Sequence, residues 1–213
     1  MKIRFLPITL AVLAIPALAQ ERSFALFYDR APGETGTITT GGPSQTLEPD
    51  DFSGLGFKFG VNVAKWGPAI LEFNASYRHK SKENVTVTPG AGGGVTYQYE
   101  WSYVSAGVDV NFIQVVDFGA GLDLRAQQDS FIFNSGSTTQ KIGITRMSPW
   151  IRAHVGYTFD TTPVKPFVAL EGAWDLRNDT SYDASSGPPS DLSKYYGVGL
   201  PKKEYSLQVG LRF

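Results

Sequence analysis

The sequence has no cysteine and only two histidines among its 213 residues. Disulfides and thiolate-ligated metal sites are therefore excluded, and we expect no cofactor, no metal site and no catalytic site. The 19 lysines and arginines are outnumbered by 20 aspartates and glutamates, which argues against nucleic acid as a partner. No run after residue 20 reaches the roughly 18 apolar residues of a membrane-spanning helix.

The amino-terminal segment has the pattern of an export signal. Lys2 and Arg4 precede an apolar run, which ends in the small-x-small sequence of residues 17–19. The run contains two prolines and is too short to span a bilayer. We therefore expect residues 1–19 to be a cleaved signal peptide and residues 20–213 to form one exported domain.

From residue 23 onward, apolar and polar residues alternate with the period of two that defines a β-strand. The last segment, residues 203–213, shows the alternation most clearly. Its apolar face consists of Tyr205, Leu207, Val209, Leu211 and Phe213. The same alternation recurs in seven earlier segments, residues 23–28, 53–64, 69–79, 97–110, 116–126, 145–157 and 164–176. Because these segments lack helical periodicity, we predict an all-β domain of eight strands.

The links between the eight segments alternate in length. Three are short hairpin connections, residues 65–68, 111–115 and 159–163. The four others are long and polar, with Gly, Ser, Thr and Pro concentrated in residues 35–49, 88–94, 134–140 and 178–203. Short periplasmic turns and long extracellular loops are typical of barrels that cross the bacterial outer membrane. The pattern predicts a membrane-embedded, antiparallel up-and-down β-barrel.

The polar faces of the predicted strands carry charges near their middle. These residues are Lys58, Glu72, Asp123, Arg125, Arg152 and Glu171. A soluble barrel would turn its apolar face inward, whereas mid-strand charges combined with aromatics at strand ends favour a polar lumen surrounded by lipid. We expect Arg152 to form an ion cluster with Asp123 and Glu171 that fills the narrow lumen. The alternative is a gate for ions or small solutes.

In the fourth segment, the large apolar side chains switch from odd-numbered to even-numbered positions. Tyr97, Tyr99 and Trp101 occupy odd positions, whereas the apolar residues from Val104 to Val110 occupy even ones. A bulge, or an extension of the strand above the membrane, would explain the change. An extension would offer an exposed edge to which a partner could add a strand. The alternative is that these aromatics belong to the outer interfacial girdle.

Four segments, residues 117–126, 149–159, 166–176 and 204–213, resemble those of small eight-stranded outer-membrane proteins of the OmpA-transmembrane, OmpX/Ail and opacity-protein kind. The resemblance implies a monomer in the cell outer membrane, surrounded by outer-membrane lipid and lipopolysaccharide. It also implies that the terminal strand, ending in Phe213, is an insertion signal for the barrel-assembly machinery. Arg78, Lys80 and Lys82 are expected to pair with lipopolysaccharide phosphates.

The function expected from these patterns is structural or adhesin-like, with the extracellular loops contacting an extracellular protein or surface ligand. A narrow, porin-like pore for ions or small solutes is the alternative. A lipid-modifying enzyme is a third option, because His79 and Ser81 resemble the His-x-Ser pair of some outer-membrane lipid A deacylases. The pair lies on the third strand rather than later in the chain, so we expect no enzymatic activity.

Overall fold

A computed structural model of the chain describes residues 21–39, 44–89, 95–114, 116–135, 138–160, 163–177, 181–183 and 200–213. The predicted signal peptide, residues 1–19, lies outside this described part. Within it the strands are β1 (Arg22–Ala31), β2 (Gly36–Thr39), β3 (Gln45–Pro49), β4 (Phe52–Trp66), β5 (Ala69–Pro89), β6 (Val95–Phe112), β7 (Val116–Ser135), β8 (Thr138–Thr158), β9 (Lys165–Asp175), β10 (Ser181–Asp183) and β11 (Lys203–Arg212). The described residues contain no helix that is long and apolar enough to cross a membrane.

Eight of these strands form a closed antiparallel barrel in the order β1-β4-β5-β6-β7-β8-β9-β11. The ring closes where β11 pairs with β1, with Tyr28 opposite Leu207. These eight strands correspond to the eight alternating segments, and the predicted fold class is confirmed. Closure leaves the barrel without an open sheet edge, which is the condition for a sheet to cross hydrocarbon.

The period of two sorts side chains into an apolar exterior and a polar interior. On β11 the side chains of Tyr205, Leu207, Val209 and Leu211 are between 43% and 59% exposed. Glu204, which precedes them in sequence, is only 2% exposed. An apolar exterior around a polar interior is the inverse of a soluble barrel, and it requires a bilayer around it.

The turn between β4 and β5, at the periplasmic end, is tight. Lys65 and Trp66 belong to the β4–β5 ladder, so the connection is reduced to Gly67 and Pro68. Gly67 has φ of 58°, in the left-handed region that a residue without Cβ adopts at little cost.

At the opposite end the strands continue well beyond the apolar band. Outward side chains on β7 change from Leu124 to Gln128, yet the β7–β8 ladder continues to Ser135 opposite Thr138. Residues that composition assigned to the ends of long loops therefore extend the sheet, because paired strands satisfy their backbone hydrogen bonds. The first long connection likewise contains the β2–β3 hairpin, which pairs with the outer end of β5.

The bulge expected in the fourth segment lies in its neighbour. β6 pairs with β7 without interruption from Gln98 to Phe112, whereas β5 bulges between Arg78 and Ser81. Trp101 therefore keeps the orientation of the other odd positions of β6 and points into the barrel. A second bulge interrupts the β4–β5 ladder at Asn62–Ala64.

Candidate functional site in the barrel lumen

The lowest level of the lumen is an ion pair near the periplasmic end. The Arg212 guanidinium of β11 contacts the Asp117 carboxylate of β7. The hydroxyl of Thr158 on β8 donates to the same carboxylate, and the guanidinium lies 4.5 Å from the Phe167 ring centroid. Side chains from four strands therefore meet across this end of the barrel.

The middle level is a cluster of two cations and three carboxylates. Lys58 Nζ lies 3.0 Å from Glu171 Oε2 and 3.2 Å from Asp109 Oδ2. Arg152 Nη2 donates to Asp109 Oδ1 at 2.7 Å, and its other nitrogens lie 3.6 Å from Asp123 and 3.7 Å from Glu171. Charges of opposite sign alternate here, which offsets the cost of holding each one away from water.

A third level lies directly above. Arg125 Nη1 is 2.6 Å from Glu204 Oε2, and its Nε is 3.1 Å from Asp123 Oδ2. The Tyr103 hydroxyl donates to Glu204 at 2.8 Å. The guanidinium also lies 4.3 Å from the Tyr103 ring centroid and 4.0 Å from that of Trp150. Asp123 contacts both Arg125 and Arg152, so it joins this level to the one below.

The fourth level is a bidentate pair. Arg78 donates from Nε and Nη2 to the two oxygens of Asp29 at 2.7 and 2.9 Å. Its Nη1 donates to Ser81 Oγ, and its guanidinium lies 4.2 Å from the Trp101 ring. The expectation that Arg78 would pair with lipopolysaccharide is wrong, because its side chain points into the lumen. Lys80, two residues further on, forms an ion pair with Glu100 at 2.7 Å.

An apolar cluster closes the outer end of the lumen. Its buried members are Ala31, Leu47, Phe52, Val85, Tyr99, Trp101, Tyr103 and Leu200. The Phe52 ring meets those of Tyr99 and Trp101 edge to face, at centroid distances of 5.7 and 5.8 Å. Such offset aromatic contacts stabilise a cluster beyond simple burial.

The predicted surface edge at Tyr97, Tyr99 and Trp101 is wrong. Tyr99 and Trp101 are 1% and 0% exposed, and Tyr97 packs against the apolar cluster inside the barrel. β6 is also hydrogen-bonded on both sides here, to β5 and to β7 from Gln98 onward. The alternative, an outer girdle, does not apply either, since these rings face the lumen.

The structure places all six predicted lumen residues inside the barrel. Lys58, Asp123, Arg152 and Glu171 meet in the middle level, and Arg125 lies one level higher. Glu72 is buried nearer the periplasm, where it accepts a hydrogen bond from Ser23 Oγ at 3.0 Å. The ionic levels also contain Asp29, Arg78, Asp109, Asp117, Glu204 and Arg212, which the predicted charge cluster did not include. Each lies on the inward face of its strand, so the alternation of side chains along the strand was the sequence feature that could have identified it.

Two small cavities lie between these side chains in the part of the chain that the structure describes. One cavity beside Lys58, Glu72 and His154 measures about 30 Å³, and another beside Arg125 and Glu204 about 10 Å³. Such volumes hold one or two water molecules. Neither cavity is a channel.

His79 and Ser81, the pair that resembled a catalytic motif, lie on opposite faces of the sheet. The His79 ring is exposed and contacts the Tyr77 ring at a centroid distance of 6.5 Å, whereas Ser81 Oγ accepts from the inward-facing Arg78. A base and a nucleophile must lie within hydrogen-bond reach of each other, and these two side chains lie on opposite faces. Among the described residues, no group of three His, Asp or Glu side chains is arranged to hold a metal ion.

No protein-family model matches the sequence, and no curated protein shows significant similarity to it. The structure is similar to outer membrane protein OprG from Pseudomonas aeruginosa, with TM-score 0.53, 10% identity, and coverage of 91% of this chain and 95% of that one. It is also similar to a major outer membrane protein from Thermus thermophilus, with TM-score 0.50, 14% identity, and coverage of 90% and 98%. Neisserial surface protein A gives a TM-score of 0.42 at 13% identity, with coverage of 89% and 95%.

Similarity at these identities concerns the fold. The fold is that of small outer-membrane β-barrels, and the apolar band around the polar lumen is the surface that such a barrel turns to lipid. The chain is an outer-membrane β-barrel protein.

Proposed function

We propose that this protein is a closed, non-catalytic barrel that acts at the cell surface through its extracellular sheet. The observation that carries the proposal is the filled lumen. Four ionic levels and an apolar cluster follow one another from the periplasmic to the extracellular end, and the two cavities described between their side chains are small. A solute would have to displace paired buried charges to pass, so the exterior is the surface left for interaction.

The extracellular extension supports this role by its polarity and its regular structure. Outward side chains above the apolar band include Lys82, Asn84, Thr96, Gln128 and Thr145, all of them exposed. They lie on the long strands β5, β6, β7 and β8, whose ladders hold the backbone in place. A rigid polar sheet that projects from the membrane is suited to contact an extracellular protein or surface ligand.

A shortened hairpin tests the surface role. Residues 129–144 can be replaced by Asn-Gly, because Gln128 lies opposite Thr145 and a two-residue turn fits that register. Bacteria that display the intact protein should adhere to immobilised extracellular-matrix proteins, and the shortened variant should lose most of this adherence. Heat-modifiable gel mobility serves as the control that the shortened barrel still folds. Equal adherence of the two forms, or of cells without the protein, would contradict the proposal.

A further inference from the structure

The lipid-facing surface carries a depression of about 620 Å³ across β8, β9, β11 and β1. Its apolar walls are Tyr28, Val155, Leu170, Trp174, Tyr205 and Leu207. We call this depression the outer groove. Its floor is formed where Gly172 on β9 lies opposite Ala153 on β8. Two small residues side by side leave a gap between the larger side chains that surround them.

Gly172 also determines the position of one wall. A Cβ atom at this position would lie 2.8 Å from Cη2 of Trp174, so the indole leans over the glycine. A larger residue would push the indole away and would occupy the groove itself. The groove therefore depends on Gly172 both for its empty space and for the position of the Trp174 indole.

The groove lies in the outer half of the apolar band. Tyr205 is near the extracellular end of β11, where it pairs with Gly172 on one side and with Arg30 on the other. Lys203 is opposite Trp174 at the end of the same ladder. Aromatic residues at this level mark the boundary between hydrocarbon and headgroups.

Two cations stand at the outer rim of the groove. The side chains of Arg30 and Lys203 are 70% and 51% exposed. Arg30 donates from Nε and Nη2 to Asp51, and Lys203 lies 3.4 Å from Glu34. Asp51 and Glu34 contact these cations, and among the described residues Nη1 of Arg30 has no hydrogen-bond partner. An arginine arranged in this way can add a phosphate oxygen to its contacts.

We propose that the outer groove binds one acyl chain of an outer-leaflet glycolipid, whose phosphate is bound by Arg30 and Lys203. Hydrocarbon is the occupant because the groove is apolar and lies in the lipid band, where water finds no partners. Phosphate is the headgroup chemistry because both rim side chains are cations next to the hydrocarbon boundary. This site is independent of the proposed surface role.

Native mass spectrometry of the purified full chain with phosphorylated lipid A tests the site. We expect the wild-type protein to retain one lipid A molecule after detergent removal. Gly172→Leu, which fills the groove, should weaken retention at least tenfold. The double variant Arg30→Gln/Lys203→Gln should weaken it similarly, and so should removal of the phosphates from lipid A. Ala106→Leu is the matched control, because it enlarges an exposed alanine on β6, on the opposite side of the barrel, and should retain lipid A normally.

Folding of each variant is checked by heat-modifiable mobility. Ala153→Leu fills the groove from β8 and replaces Gly172→Leu if that variant does not fold. Equal retention by every variant would mean adventitious annular lipid only and would overturn the proposal. Retention that is insensitive to the rim cations and to the phosphates would overturn the assigned headgroup chemistry, and with it the proposal.

Discussion

Two neighbouring residues of β1 show how strand alternation sets the energetic role of a charge. The side chain of Asp29 is fully buried and forms a bidentate pair with Arg78, which is also fully buried. Arg30, next in sequence, points outward and pairs with the half-exposed Asp51. The hydrogen bond from Arg30 lowers the pKa of the Asp51 carboxyl, but an exposed pair of this kind contributes only about 0–1 kcal/mol.

Arg78→Gln should lower the free energy of unfolding by about 3–5 kcal/mol, since it leaves the buried Asp29 carboxylate without its counter-ion. Arg30→Gln, the matched control in an exposed pair, should change it by less than about 1 kcal/mol. Urea unfolding in phospholipid vesicles, followed by tryptophan fluorescence, measures both. Arg78→Gln/Asp29→Asn should recover part of the loss. Equal effects of the two single variants would show that the inner pair is not desolvated.

At the scale of elements, β7 is adapted to its neighbour β6. Gly121 lies opposite Asp109, the carboxylate that both Lys58 and Arg152 contact. A Cβ atom at Gly121 would overlap Asp109 Oδ1 and the Val108 carbonyl oxygen. The glycine is therefore part of the middle ionic level, although it carries no charge.

Gly121→Ala should destabilise the barrel by about 1–3 kcal/mol through overpacking. Gly143→Ala is the control on β8, because a Cβ there would make only an ordinary contact, 3.6 Å from Ser130 Oγ. We expect its effect to stay within about 1 kcal/mol. Both values come from the same urea titration. A neutral Gly121→Ala would mean that Asp109 can move aside without losing its cations.

β6 shows how far the sequence determines the fold and the lumen. Alternation defines the strand and its two faces, because the period of two is a property of the backbone. It does not say which face meets lipid when aromatics occupy the inward face, as they do at Tyr99 and Trp101. The six predicted lumen charges were identifiable as mid-strand polar residues. Which residues they pair with, such as Asp109, depends on the stagger and tilt of the strands in the closed barrel. No single segment of the sequence determines these quantities.

At the scale of the whole molecule, closure of the lumen is redundant. The middle ionic level and the outer apolar cluster are built from different residues and lie at different depths. Loss of one leaves the other in place. A barrel of eight strands has an interior that side chains can fill, and here four ionic levels and an apolar cluster fill it at different depths.

In planar bilayers the wild-type protein should show no stepwise conductance. Trp101→Ala should remain closed through its ionic levels, and Lys58→Ala/Arg152→Ala should remain closed through its apolar cluster. The triple variant that combines them should remain closed too, because the ion pairs of Arg212, Arg125 and Arg78 stay in place. Each of these variants should also have a lower free energy of unfolding, by several kcal/mol, since truncating a buried tryptophan alone costs about 3–5 kcal/mol. Conductance steps from the wild-type protein would favour the narrow pore instead.

The seam between β1 and β11 has a kinetic consequence. Ser23 pairs with Arg212 and Arg30 with Tyr205, so the ladder that completes the ring joins opposite ends of the described chain. Contacts so distant in sequence form slowly, because a long loop must be closed first. Until they form, β1 and β11 each present a row of unpaired amides and carbonyls that hydrocarbon does not tolerate. Pairing of β1 with β11 and insertion into the bilayer must therefore occur together, as one concerted late step of folding.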